Sequence, residues 1–510
     1  MDCLIQTAKE FSENCTVHGL KHVVTEGDGQ KRSSGKICPN FYHIGGSLWM
    51  FTCAVAGAMF VFMSILIWRR FDGSPTVVTI ESMNYPIWNF TFPAVTLCNV
   101  NKVYAPHTQN ITELLLNLGE KKETINDFFS KLTALIHHEI VSEENIKIYK
   151  ILEKLGYGVD KLMMELAQPC ETMLRNCFWL DSEQPCNELF RMTRSIEGYC
   201  CSFNYHALYS KLDIQQEKKY FMEENATGAG PSMGIRVIAD AEPQHYVSTI
   251  KAFAAIQAMI HDTHAYPDMS SSIVNMQPNQ DVSILVQPTL LASAPEVRSM
   301  PPDQRRCWYP HEHVSRLSNK YNFDNCVTEC RVDTILRLCD CIPFYYPDID
   351  IPINGVQRRT CDLTDAHCLK VNAREISGLQ LTPITSDDIN IENSCDCRQA
   401  CNQRSYQIKV DKGIRQEKIP VPVQLFDTRN LTNLTEFNLY FKELSFVKYR
   451  RDPFMTWDSL LASVGGIFGL CLGGSVISLV ELVYYFTMRF FYNWKRSNKN
   501  LQNNQQIFYL

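Results

Sequence analysis

The sequence predicts a membrane protein: two transmembrane helices joined by a large, disulfide-rich α+β ectodomain. Three observations predict it. Two long apolar runs lie towards opposite ends of a 510-residue chain, and sixteen of its 21 cysteines fall between them. The intervening segment mixes short β-branched runs with long stretches of three- and four-residue apolar spacing. Apolar residues make up 45% of the chain, too many for a disordered polymer. A net charge of −6 leaves no basic footprint and argues against a nucleic-acid partner.

The first apolar run, residues 47–68 (SLWMFTCAVAGAMFVFMSILIW), holds no charged residue. The second, from about Leu460 to Phe486, is interrupted only by Glu481. Each exceeds the roughly 20 apolar residues that cross ~30 Å of hydrocarbon. A core helix of a soluble protein would show a polar face, and neither run has one. Some 46 mostly polar residues precede the first run, which is also longer than a signal-peptide core, so it reads as an uncleaved anchor.

Basic residues do not set the orientation: Arg69 and Arg70 follow the first run, and Arg489, Lys495, Arg496 and Lys499 follow the second. The sixteen cysteines from Cys98 to Cys401 do, because disulfides persist in oxidising compartments. Sequons at Asn89, Asn110, Asn225, Asn430 and Asn433 lie in the same segment. The expected layout is therefore a cytosolic arm (1–46), a first span (47–68), an extracellular domain (69–456), a second span (457–487) and a cytosolic tail (488–510). That is a multi-pass plasma-membrane protein with both termini in the cytosol.

Within the ectodomain, strand-like runs are Phe92–Val100, Gly234–Ala239, Ser283–Thr289, Tyr406–Val410 and Val421–Phe426. Helical spacing dominates Ile111–Arg175 and Glu312–Leu338. Cys326 and Cys330 are four apart in the second helical stretch and share a face about 6 Å apart along the axis. Cys395 and Cys397 are two apart, roughly 6–7 Å in extended chain. An antiparallel pairing of these rungs gives Cys326–Cys397 and Cys330–Cys395. Cys339, Cys341, Cys361 and Cys368 are left to staple the loop between, and Cys307 with Cys401 to close its base. Spacing alone does not fix the connectivity. Zinc is the competing reading of the two Cys-Asp-Cys triplets, but they bring no histidine, and no metal is expected.

The second span carries the chemistry. Gly465, Gly469 and Gly473 recur every four residues, a stripe that lets helices approach closely. Gly473-Gly474-Ser475 in mid-span is a poor stretch of helix. Non-helical backbone at that depth survives only where it is buried in protein or lines a water-filled path. Glu481 follows six residues later, and ionisable groups inside a span mark ion pathways. Carbonyl and carboxylate rings are the means by which cation pores select. Two helices cannot enclose a pore, so several copies must assemble.

These residues resemble the degenerin/epithelial sodium channel superfamily over nearly the whole chain. Thr16-Val17-His18-Gly19 is similar to its His-Gly gating motif, and Phe92–Asn99 (FPAVTLCN) to the hallmark after its first span. Cys200–Asn204 (CCSFN) is similar to its C-x-[ST]-F-N element, and Gly469–Ser475 (GLCLGGS) to its G-L-x-x-G-x-S pore signature. The stretches FSENCTVHGLKHV and CDCIPFYYP are most like the insect pickpocket branch. The resemblance implies an acid-sensing-channel-like trimer of palm, β-ball, knuckle, finger and thumb. Its partners would be related subunits in a homo- or heterotrimer, the lipid bilayer and an unidentified extracellular stimulus. It implies amiloride-sensitive, non-voltage-gated Na⁺ permeation, a sensory role and no cofactor, with Na⁺ as the transported ion. Gly473, Gly474 and Ser475 would form the selectivity filter, and Ala462 would sit where the family requires a small residue for closure. Ser463, Gly469 and Glu481 would complete the pore and gate. The implied disulfides are Cys98–Cys200, Cys177–Cys186, Cys307–Cys401, Cys326–Cys397, Cys330–Cys395, Cys339–Cys368 and Cys341–Cys361. Cys170 and Cys201 are left as an extra finger bridge.

Two departures stand out. Many relatives carry an Asp where this chain has Ser463, so an outer ring of carboxylates is missing. Acid-sensing members place a Trp before the first thumb cysteine, whereas Trp308 follows Cys307; proton gating is therefore not carried over. An ectoenzyme would need a convergent catalytic set, and His261-x-x-His264 and His311-x-His313 are its nearest candidates. A non-conducting receptor, scaffold or regulatory subunit shares the layout but gives no reason for a Gly-Gly-Ser break. An ATP-gated trimer shares the two spans but not this cysteine pattern.

Overall fold

The computed structural model describes residues 2–17, 39–73, 75–207, 223–249, 251–313, 315–318, 320–347, 359–378, 395–415 and 433–495. The chain divides into two compact units. One comprises Met1–Val77 with Asp452–Leu510, the other Val78–Arg451.

The first unit is helical. The first apolar run lies within one helix, Pro39–Gly73, which overruns it at both ends. The N-terminal residues form a separate helix, Asp2–Asn14. The second apolar run is two helices, Trp457–Leu472 and Val476–Tyr484, the latter continuing through a π-helical turn at Tyr485–Arg489. Trp457 meets Trp68 and Phe71 at ring-centroid distances of 6.5 and 5.3 Å, and Phe60 meets Phe468 edge-on at 5.6 Å. These aromatic contacts fasten the first span helix to the upstream half of the second.

The second unit is α+β. Its larger sheet has eight strands, in the order Thr76–Pro86, Ser445–Pro453, Gln280–Ser293, Leu434–Phe441, Ile235–Asp240, Leu174–Trp179 and Ser182–Gln184. Gln403–Ile414 also pairs with Gln280–Ser293. That 14-residue strand is the organiser: it takes Gln403–Ile414 antiparallel, with Val286 opposite Ile408, and Leu434–Phe441 parallel, with Ile284 opposite Leu439. Val282, Ile284 and Val286 are fully buried and alternate with half-exposed residues, the period-two pattern of a one-sided core strand. A five-stranded sheet runs Ser272–Met276, Ile256–His261, Ala94–Asn99, Gly198–Phe203, Phe190–Ser195. Four of the five strand-like runs read from the sequence lie in or overlap these strands, and Val421–Phe426 lies outside the described residues.

The predicted helical stretch after Ile111 forms Gln109–Asn117, Lys122–Lys131, Glu143–Lys154 and Val159–Leu166. Their apolar faces share a core with Val332, Ile335, Phe344, Tyr345 and Tyr346. The stretch expected from Glu312 is shorter than its periodicity suggested: the helix runs Phe323–Cys339. Asn322 starts it by accepting the Asp324 N–H at 2.8 Å, the N-cap that a spacing rule alone overlooks.

All sixteen cysteines between the spans are disulfide-bonded: Cys98–Cys200, Cys170–Cys201, Cys177–Cys186, Cys307–Cys401, Cys326–Cys397, Cys330–Cys395, Cys339–Cys368 and Cys341–Cys361. Cys326 and Cys330 stand one helical turn apart. Their partners lie in irregular chain just before the two-residue strand Gln399–Ala400, not in a strand.

His261 sits at the end of a strand buried on both faces. Its Nδ1 lies 3.0 Å from the Asp262 carbonyl and its Nε2 2.9 Å from Thr96 Oγ1, which lies 2.7 Å from Ser202 Oγ. The carbonyl can only accept, so Nδ1 carries the proton and Nε2 accepts from Thr96. Burial pushes the His261 pKa down to about 4, from about 6.5 in the unfolded chain. The neutral ring's contribution to stability is thus complete above the unfolded pKa and is lost as pH falls towards 4. We predict that purified full-length protein loses about 2 kcal/mol from this residue between about pH 7.5 and about pH 5. His261→Gln should flatten the pH dependence of the thermal midpoint over that window; an unchanged slope would contradict this assignment.

Candidate functional site

The site is built from the break in the second apolar run. Trp457–Leu472 ends at Gly473, whose φ of +60° is left-handed and whose N–H donates to the Gly469 carbonyl at 2.9 Å. Ser475 restarts the helix. Its Oγ accepts from the Ser478 N–H at 3.4 Å, while Ser478 Oγ accepts from the Ser475 N–H at 3.1 Å, a reciprocal capping pair. The two helices meet at 75°. Gly474 is there for lack of space: a Cβ would fall 2.2 Å from the Phe468 ring.

This geometry suits a cation. The last carbonyls of a helix have no intrahelical partner, and its carboxyl end carries about half a negative charge. The negative end of Trp457–Leu472 therefore falls at the break, in a segment with no charged side chain between Asp458 and Glu481.

The glycine stripe is not continuous. Gly465 and Gly469 lie on one helix, but Gly473 is its left-handed cap and leaves that face. Upstream, Ala462 is exposed, and the Ser463 hydroxyl donates to the Ser459 carbonyl at 2.7 Å. Glu481 is held by the N-terminal segment: the Thr16 N–H and hydroxyl both donate to its Oε2, at 2.9 and 3.0 Å. Thr16 Oγ1 also lies 2.6 Å from Ser478 Oγ. Sequence reasoning singled out Glu481 but missed Ser478 and gave Thr16 no role of its own. The Ser-x-x-Ser spacing after the glycines was the available signal. His18 and Gly19 lie outside the described residues.

The four histidines weighed for catalysis do not converge. His261 is tied into its sheet, and His264 Nε2 pairs with Glu223 at 2.7 Å. His313 packs between Trp308 and Tyr321, and His311 is exposed. Cys341, Cys361 and Asp365 come close enough to share a metal, but the two sulfurs are bonded to each other. Arg359 occupies both Asp365 oxygens at 2.5 and 2.7 Å. Asn89, Asn110, Asn225 and Asn433 are exposed, and Asn430 lies outside the described residues.

A family model described as an amiloride-sensitive sodium channel matches residues 11–485. A sodium channel protein Nach of Drosophila ananassae is 24% identical over 498 residues, covering 96% of this chain and 88% of the relative. Pickpocket protein 28 of Drosophila melanogaster is 22% identical over 516 residues, covering 94% and 78%. The Nach protein of Drosophila melanogaster is 24% identical over 509 residues, covering 96% and 89%.

Gly474→Ala should lower the stability of the purified protein by about 1–3 kcal/mol through overpacking against Phe468. Thermal melts should show Phe468→Leu recovering part of that loss in the double variant. A loss indifferent to residue 468 would place the strain elsewhere.

Proposed function

The chain belongs to the amiloride-sensitive sodium channel family, and we propose that it lines the pore of a Na⁺-selective channel of the degenerin/epithelial type. The observation that carries this reading is the Gly473-Gly474-Ser475 break, with its 75° bend, inside a segment apolar enough to span a bilayer. Backbone opened at that depth needs protein or water around it, and carbonyls facing water replace the hydration shell of an alkali cation.

In this reading three subunits, alike or related, surround one path in the plasma membrane. Gly473, Gly474 and Ser475 form its constriction, with Ala462 and Ser463 above it and Gly469 lending its carbonyl to the turn. The disulfide-bonded, sequon-bearing segment 69–456 is extracellular, where Asn89, Asn110, Asn225, Asn430 and Asn433 are available for glycosylation. Both termini are cytosolic, and His18-Gly19 takes part in gating. The extracellular segment adopts the palm, β-ball, knuckle, finger and thumb layout and receives the stimulus. The protein catalyses no reaction; its cargo is Na⁺.

Ala462→Phe should hold the pore open, since a bulky side chain there obstructs closure. Expressed in oocytes under voltage clamp, this variant should pass an amiloride-blocked inward current in Na⁺ that vanishes when a large impermeant cation replaces it. A variant delivered to the surface yet silent both alone and with related subunits would overturn the reading. Current only with related subunits would assign the chain to heterotrimers.

Ser463→Asp on that background should restore a ring of carboxylates. External Ca²⁺ should then block at concentrations about tenfold lower, as an added carboxylate ring tightens divalent binding. Unchanged Ca²⁺ sensitivity would remove residue 463 from the outer mouth.

A further inference from the structure

One short turn of the α+β unit carries two outward side chains of different chemistry. Ile87–Asn89 is a single turn of 3-10 helix between the strands Thr76–Pro86 and Ala94–Asn99. With about three residues to the turn, Ile87 and Phe90 fall on the same side, and both are buried. Trp88 and Asn89 take the other two directions, and both are exposed.

The turn is firmly held. The Ile87 N–H donates to the Leu444 carbonyl at 3.1 Å. The Phe90 ring lies edge-on to Phe446 at 4.8 Å and to Tyr406 at 5.7 Å. Thr91 Oγ1 donates to Glu223 at 2.6 Å and accepts from Arg404 Nη1 at 2.8 Å. A turn fixed in this way cannot fold its indole away from water: Trp88 is 54% exposed, and Leu444, bonded to the turn at Ile87, is 59% exposed.

Asn89 opens a sequon that Thr91 completes. The other four sequon asparagines follow Gln109, Glu224, Arg429 and Thr432, so Asn89 alone follows an aromatic residue. A glycan on Asn89 is bulky and hydrated and holds other protein off this turn. The flat face of a sugar ring presents C–H groups, which suit the electron-rich face of an indole. The first sugar on Asn89 is thus the partner that both reaches Trp88 and fits it.

We propose that the Asn89 glycan packs its first sugar against Trp88 and Leu444, so that carbohydrate completes the surface of this turn. The turn lies where Thr76–Pro86 ends and where its neighbour in the larger sheet, Ser445–Pro453, begins. The glycan therefore clasps the far ends of the two strands that follow the first span and precede the second in sequence. The proposal rests on the extracellular placement of residues 69–456.

The test uses full-length protein from a eukaryotic host that leaves N-glycans sensitive to endoglycosidase H. Glycopeptides are read by mass spectrometry, and Trp88 is footprinted with hydroxyl radicals in four forms: untreated, trimmed to one sugar, Asn89→Gln and Asn225→Gln. Covering one face of the ring should cut Trp88 oxidation by about half in every form except Asn89→Gln. Equal oxidation in all four overturns the proposal: if high, the sugar stands clear of the ring, and if low, other protein covers it. Protection lost on trimming overturns the assignment to the first sugar.

Stability gives a separate reading. Asn89→Gln and Trp88→Ala should each lower the thermal midpoint by about 2 °C, and the double variant by no more than the larger single loss. Losses that add overturn the contact. Thr91 stays intact throughout, because its hydroxyl serves Glu223 and Arg404. Occupancy separates the proposal from the reading beneath it. A bare Asn89 with glycans on Asn110 and Asn225 overturns the proposal alone, whereas five bare sequons count against the extracellular placement as well.

Discussion

The structure of the second span depends on one constraint: a backbone opened inside an apolar segment must find partners for its polar groups. An unsatisfied amide or carbonyl in hydrocarbon costs several kcal/mol, more than a glycine or two takes from a helix. Gly473 returns its N–H to Gly469, and Ser475 and Ser478 cap each other. What these bonds do not use, carbonyls at the negative end of a helix, is what a cation needs. The filter proposed here is thus the residue of a satisfied helix break.

Ectodomain stability is spread rather than concentrated. Cys98–Cys200 closes a separation of 102 residues and Cys177–Cys186 one of 9. In the chain-entropy model these constrain the unfolded state by about 4.7 and about 2.6 kcal/mol, since the effect grows only with the logarithm of loop length. No single bridge dominates. The long strand Gln280–Ser293 ties together three partner strands that lie more than a hundred residues downstream.

The features legible in the sequence are those set by local pattern. Charge-free length exposed the two apolar runs, short β-branched runs such as Ser283–Thr289 exposed the strands, and the Gly-Gly-Ser triplet exposed the break. The features that were missed depend on particular atoms. Periodicity began the Cys326 helix near Glu312, but Asn322 caps it ten residues later. A four-residue stripe counted Gly473 with Gly469, although its left-handed φ takes it off that face. The contact that holds Glu481 comes from Thr16, 465 residues away, and no local pattern encodes such a contact. Cysteine spacing left the connectivity open; seven pairings came from the family resemblance, and Cys170 with Cys201 was the pair that remained.

The central claim is that the Gly473-Gly474-Ser475 turn is the narrowest part of a shared ion path. The direct measurement is Cd²⁺ sensitivity of Ser475→Cys on the open Ala462→Phe background. Thiolates from several subunits facing one axis bind a soft divalent ion tightly. Low-micromolar Cd²⁺ should block the Na⁺ current of Ser475→Cys and leave its parent untouched. A Ser475→Cys channel that carries full Na⁺ current and ignores Cd²⁺ applied from either side would contradict the account.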